Sequence, residues 1–173
     1  MASPARRRKR IRLDPAVYAE VGRVCSITMA VRDRRPVFAD PVVAACAVDV
    51  LLAHADRTAV RIYAFCVMRD HVHLVAEPSA SCDLVTFVGQ FKNLAQRAAW
   101  ARGVEGQFWQ SSFWDHFVRR DEDLRTVIEY VLDNPVRAGL VAARESYPFA
   151  GSPAFDLAGR WAGDKPPPYA EGR

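Results

Sequence analysis

Short apolar runs alternate along this chain with longer stretches in which apolar residues return every third or fourth position. "GRVCSITMAV" is rich in β-branched residues and predicts a first strand over 21–31, closed by a charged turn and Pro36. In "DPVVAACAVDVLLAHA", Val43, Cys46, Ala47, Val50 and Leu51 recur at helical spacing. Asp40 can cap that helix and Pro41 suits its first position, with an expected end near Ala55. "AVRIYAFCVM", residues 59–68, is apolar on both faces, the pattern of a central strand. Only Arg69 and Asp70 separate it from "HVHLVAEP", so these two strands must form a hairpin. Leu84, Phe87, Val88, Phe91, Leu94, Ala95 and Ala98 then make one helical stripe, and Gly103 is a natural stop. An aromatic strand is expected from Phe113 to Arg119. A last helix, capped by Asp121, buries Leu124, Val127, Ile128 and Val131 and ends before Pro135.

Strand, helix, strand, strand, helix, strand and helix is the order of a ferredoxin-like α+β sandwich. It implies βαββαβ connectivity, an antiparallel sheet covered on one face, and an additional C-terminal helix. One domain over 21–152 accounts for these elements. A basic, flexible arm over 1–20 precedes it and a Pro-rich tail over 153–173 follows. Half of the 173 residues are hydrophobic, which is enough for a sizeable core.

Cys25, Cys46, Cys66 and Cys82 each lie in or beside an apolar run without C-x-x-C spacing, so they read as buried thiols of a reducing compartment. No run approaches the roughly 20 apolar residues of a membrane span, and "MASPARRRKRIR" lacks the apolar segment of a secretory signal. The expected location is the cytoplasm. The net charge of +4 is modest but clustered, at Arg6–Arg12, at Arg32, Arg34 and Arg35, and at Arg119 and Arg120. Clustered cations attract polyanions, most commonly nucleic acid, although solvated loop charge fits them about as well.

"RDHVHLV" concentrates two of the chain's four histidines around one valine. In a strand His71 and His73 project to one side while Val72 and Leu74 anchor the other. Such a pair suits one divalent ion, but two nitrogens make an incomplete site, and H-x-H also arises by chance. "EYVLDNP" offers further groups, because Tyr130 and Asn134 stand four apart on one helix face. Taken singly, they are a tyrosine at the core margin and an asparagine at a helix end. Together they bring a phenol and an amide oxygen to one space. A tyrosine can attack phosphorus if a cation draws charge from the phosphate. Mg²⁺ or Mn²⁺ held by His71, His73 and Asn134 would do so, nitrogen ligands favouring Mn²⁺ and abundance favouring Mg²⁺.

"YAFCVMRDHVHLV", "QFWQSSFWDHFVRRDEDL" and "IEYVLDNPVRAGLV" resemble the signature blocks of the single-tyrosine HUH transposases. The likeness runs over about 23–152 and is greatest to the branch associated with repetitive extragenic palindromic elements. It implies a metal pair at His71 and His73, a nucleophile at Tyr130 and a third ligand at Asn134. It also implies cleavage of single-stranded DNA beside a hairpin, with a 5′ phosphate joined to the tyrosine and a free 3′ hydroxyl left for rejoining. Members of the family work as monomers or as homodimers that exchange tyrosine helices.

Asp115 or His116 could support the metal ligands. Trp109, Phe113, Trp114 and Phe117 could stack bases, although core packing suits most of them. Lys92, Arg119, Arg120 and Arg137 are candidate phosphate contacts, and Arg7 and Arg8 lie in an arm able to follow a DNA groove. Two other functions fit less of the sequence: a domesticated protein that binds DNA hairpins without cutting, and a water-using hydrolase of small phosphodiesters.

Overall fold

The computed structural model describes residues 14–119 and 123–154. Strand β1 (Cys25–Ala30) leads to helix α1 (Pro41–Thr58), the hairpin β2 (Arg61–Met68) and β3 (His71–Glu77), helix α2 (Leu84–Trp100), and strand β4 (Trp114–Phe117). Helix α3 (Leu124–Leu132), a short α4 (Asn134–Arg137) and a two-residue β5 (Ala150–Gly151) complete it. The sheet order is β4-β1-β3-β2-β5, with every neighbouring pair antiparallel. This is the expected ferredoxin-like sandwich, extended at one edge by β5.

Alternation along the strands decides which residues meet which helices. Ile27 and Met29 of β1, Phe65 and Val67 of β2, and Val72 and Leu74 of β3 share one core with α1 and α2. The first helix begins as read, Asp40 accepting from the Val42 N–H and Pro41 opening the first turn. It runs three residues past Ala55, because its last turn is polar at Arg57 and Thr58. The stop comes at Ala59, which takes a left-handed φ of 54°.

The opposite sheet face, expected to be uncovered, is in fact packed by a helix. Leu124, Ile128, Val131 and Leu132 of α3 form a second core with Tyr63, Ala64, Cys66, Met68 and Val75. A register shift between Ile62 and Ala64 lets Tyr63 turn to this side, where its hydroxyl donates to Glu77 Oε2 at 2.6 Å. Burial pushes the Tyr63 phenol pKa up, and the Glu77 carboxylate adds to it. Burial likewise pushes the Cys25 and Cys66 thiols up to about 12, so both stay protonated as small apolar side chains.

Three boundaries differ from the sequence reading. Asp123, rather than Asp121, caps α3 by accepting from the Arg125 N–H at 3.0 Å, and Asp121 lies outside the described residues. Pro135 ends α3 and also opens α4, since its fixed φ suits a first helical turn. The stretch 1–20 is not arm throughout: Pro15–Ala19 form a 3-10 turn that buries Tyr18 to 1% exposure among the first core. Apolar contact of that ring with Phe113 and Phe117 holds the turn down. Residues 1–13 and 155–173, with most of the expected arm and tail, lie outside the described residues.

Candidate active site

The hairpin sets His71 at the start of β3, opposite Ala30 of β1 and Met68 of β2, and His73 between Thr28 and Cys66. Both imidazoles leave the sheet on the α3 side, while Val72 and Leu74 are fully buried on the other. The ring planes cross at 89° and the two Nε2 atoms are 3.0 Å apart. Each Nδ1 has its own partner: Asp70 Oδ1 at 2.6 Å from His71, and Thr28 Oγ1 at 2.9 Å from His73.

This donor set fits a divalent cation. Two ligands at about 2.1 Å and at right angles around an octahedral ion lie about 3.0 Å from one another. When both Nδ1 atoms carry protons and donate to Asp70 and Thr28, both Nε2 lone pairs face the same gap, an arrangement that only a cation or a shared proton relieves. Without a cation the network also closes: His73 Nε2–H donates to His71 Nε2, and the Thr28 hydroxyl donates to His73 Nδ1. Among the described residues no group of three or more His, Cys, Asp or Glu side chains converges on a metal position, so a third ligand drawn from those residues would be of another type.

The electrostatics favour a neutral His73. Burial would by itself raise the Asp70 carboxyl, but the His71 bond and charge and the Arg34 guanidinium hold it below the usual range. Burial, with the neighbouring His71 and Arg34 charges, pushes His73 down to about 4 from an ordinary 6.5. The unfolded chain then takes up a proton that the folded protein refuses. This part of the stability is complete above about pH 6.5 and is lost as pH falls towards 4, by up to about 3 kcal/mol. With divalent ions chelated, urea midpoints at pH 7 and pH 4.5 should diverge for the wild type and diverge measurably less for His73→Gln.

Helix α3 lies on the same sheet face, covering Cys66 and Met68, the residues paired with His73 and His71. Its buried stripe leaves Tyr130 outside, 52% exposed, with the Arg137 guanidinium carbon 4.3 Å from the ring centroid. Asn134 Nδ2 donates to the Tyr130 and Val131 carbonyls at 2.9 and 3.2 Å, which occupies the amide nitrogen, while Oδ1 has no hydrogen-bond partner among the described residues. The structure thus assembles two groups on one face: His71 with His73, and Tyr130 with Asn134 and Arg137. Among the described residues no hydrogen bond or ring contact joins one group to the other.

The family model described as IS200-like transposase matches residues 24–134, a span that includes all of these side chains except Arg137. The chain belongs to the IS200-like transposase family. Relatives include the REP-associated tyrosine transposase of Escherichia coli K12, 29% identical over 90 residues, which are 51% of this chain and 52% of that protein. A Haemophilus influenzae protein named "Putative REP-associated tyrosine transposase" is 27% identical over 103 residues, 50% of this chain and 56% of its own. The chain therefore spans about half the length of the curated relatives it matches. A solved REP-associated tyrosine transposase bound to a REP hairpin shares the fold, with a TM-score of 0.63, 23% identity, and coverage of 76% of this chain and 77% of that one.

Several expected roles move in this transposase-family fold. Asp115 cannot support the histidines: opposite Ile27 it faces the first core side and accepts from the Tyr18 hydroxyl at 2.9 Å. Asp70 and Thr28 hold the imidazoles instead. Asp70 stands next to His71 in sequence, where it read only as a turn residue, and Thr28 is identifiable only once the β1–β3 register is known. His116 and Trp114 share the histidine face of β4, and Trp114, opposite Thr28, is 59% exposed. Trp109 is buried, and Phe113 and Phe117 pack against the first core.

Lys92 is likewise no exposed phosphate contact. It is 9% exposed and its ammonium donates to the Gln110 and Ser112 carbonyls at 3.0 and 2.9 Å, beside the rings of Trp109 and Phe113. It fastens the loop that delivers β4. Lys92→Ala should cost about 2–3 kcal/mol in urea unfolding by stranding those carbonyls, with the salt dependence of DNA binding unchanged. Arg119 and Arg137 are exposed, and Arg120, Arg7 and Arg8 lie outside the described residues.

Proposed function

We propose that this chain is a divalent-metal-dependent, single-strand DNA endonuclease and strand transferase that acts beside a DNA hairpin through Tyr130. The observation that carries the reading is the imidazole pair, with Nε2 atoms 3.0 Å apart and each Nδ1 held, on the sheet face flanked by the tyrosine helix. Family membership narrows the chemistry to transposition. The hairpin-bound state of a relative of the same fold supports hairpin DNA as the ligand.

His71 Nε2, His73 Nε2 and Asn134 Oδ1 would hold Mg²⁺ or Mn²⁺, which would supply Lewis-acid withdrawal of charge from a phosphate oxygen. Tyr130 Oη attacks phosphorus and gives up its proton. The bond from phosphorus to the 3′ oxygen breaks, and that oxygen leaves as a 3′ hydroxyl after taking a proton. The 5′ phosphate remains on the tyrosine. Attack by a 3′ hydroxyl on that phosphotyrosine reverses the step and joins a strand. Exposed Tyr130 is open to such a substrate, and Trp114, one strand beyond Thr28, offers a ring for an unpaired base.

Incubation of the protein with Mn²⁺ and a 5′- or 3′-labelled hairpin bearing single-stranded flanks should give an SDS-resistant protein-DNA adduct. Tight hairpin binding without any adduct under Mg²⁺ and Mn²⁺ would instead establish the non-cleaving, domesticated role.

A further inference from the structure

The end of the sheet that carries the histidines is also densely basic. Beyond β1 the chain enters a loop whose Arg32, Arg34 and Arg35 are all exposed, and the β2–β3 turn contributes exposed Arg69. Backbone bonds interlock these segments. The Val31 N–H donates to the Asp70 carbonyl at 2.8 Å, the Phe38 N–H to the Arg69 carbonyl at 2.9 Å, and the Arg32 N–H to the Phe108 carbonyl at 2.7 Å.

Within that frame Asp33 and Arg34 both take left-handed backbone conformations, with φ of 55° and 54°. A Cβ makes this conformation unfavourable, and two in succession persist only where the surroundings over-determine them. Glycine would remove the strain, yet the loop carries charged residues there. Arg34 is linked to the site, since its Nη1 lies 3.2 Å from Asp70 Oδ2 and Asp70 in turn holds His71. Arg32, Arg35 and Arg69 are thus carried on backbone that is tied to the turn preceding His71, and Asp33 offsets only part of their charge. Exposed arginines on backbone held in this way can offer their guanidinium groups for bidentate contact with phosphate oxygens.

We infer that Arg32, Arg35 and Arg69 form a phosphate-binding subsite for the backbone of the single DNA strand leading to His71 and His73. The identity of the strand as DNA rests on the proposed function; the subsite rests on the loop itself. Arg34, through Asp70, ties the subsite and the histidine pair into one unit, so a strand held by the arginines is registered against the imidazoles.

The test is fluorescence anisotropy of the full chain with a labelled, mixed-sequence single-stranded oligodeoxynucleotide across a salt series. Arg32→Ala/Arg35→Ala should weaken binding about tenfold near 0.1 M salt. It should also reduce the slope of log K against log salt by about 1.4, which is about 0.7 for each lost contact. Arg57→Ala/Arg97→Ala removes equal charge from exposed positions on the two helices behind the sheet and should change the slope by far less. Arg32→Gln/Arg35→Gln repeats the measurement should the alanine pair lower the melting temperature. Wild-type slope in both loop variants, equal losses in the control, no binding of single strands by the wild type, or tighter binding of the matching RNA would each overturn the inference. Loss of slope in the loop variant alongside no covalent adduct on any hairpin would overturn the cleavage reading and leave the subsite standing.

Discussion

Tyr130→Phe is expected to abolish the covalent adduct and to slow strand cleavage on the order of 10³-fold or more. Binding of hairpin DNA and the melting temperature should stay at wild-type values. The substitution isolates the nucleophile because of where the ring sits. It is half-exposed on α3, outside the stripe that packs on the sheet, and its visible neighbour is the Arg137 guanidinium at 4.3 Å from the ring centroid. Phenylalanine keeps that face and the stacking, worth about 0.5–1 kcal/mol at an exposed site, and loses only the hydroxyl. A hydrolase that uses water as nucleophile would retain activity in this variant. The experiment is denaturing electrophoresis of labelled hairpin incubated with Mn²⁺, and a normal adduct yield would remove Tyr130 from the mechanism. Mixing Tyr130→Phe with His73→Ala reads the subunit arrangement from the same assay. Adduct recovered by the mixture requires the tyrosine of one copy to serve the histidines of another, whereas no recovery is the result for a site completed within one chain.

The periodic parts of this fold were legible in the sequence alone. Alternation in "HVHLV" fixes that the imidazoles share a face because side chains in a strand have no other choice, and Asp40–Pro41 marks a helix start through local bonds alone. The order of elements then implied the sheet, because sequential hairpins and helical crossovers leave few topologies open. What was not legible depends on pairing at long range. Thr28 reaches His73 across 45 positions of sequence, and Tyr18 reaches Asp115 across 97. Register decides both contacts, and a shift of one residue would have reversed the face of Asp115. Lys92 misled for a related reason. Sequence shows its charge but not the two carbonyls and the aromatic rings that allow an ammonium to be buried. The bare sheet face was an error of the same kind, since an amphipathic helix announces that it must be covered without announcing by what.

Removing either imidazole should have the second large effect, a loss of Mn²⁺ affinity of about 10²-fold or more with strand cleavage lost in parallel. A single remaining Nε2 offers one donor, whereas the pair, held 3.0 Å apart, presents two lone pairs without any ordering cost at the moment of binding. The supporting groups should matter in a graded way. Asp70→Asn keeps an acceptor for His71 Nδ1–H but removes the charge that makes the ring a better donor to a cation. Thr28→Val leaves His73 Nδ1 unpaired at nearly constant volume. Each is expected to lower Mn²⁺ affinity about tenfold, at the weaker end of what outer partners of metal-bound histidines contribute. Calorimetric titration or the loss of the free Mn²⁺ electron-paramagnetic signal gives the ranking directly, with Tyr130→Phe as the variant that should bind the ion normally. Zn²⁺ should bind the wild type more tightly than Mn²⁺, as nitrogen ligands dictate. Equal Mn²⁺ affinity in the wild type and His71→Ala would mean that the two rings are joined by a shared proton and hold no ion at all. The phosphoryl chemistry proposed for Tyr130 would then need another source of charge withdrawal.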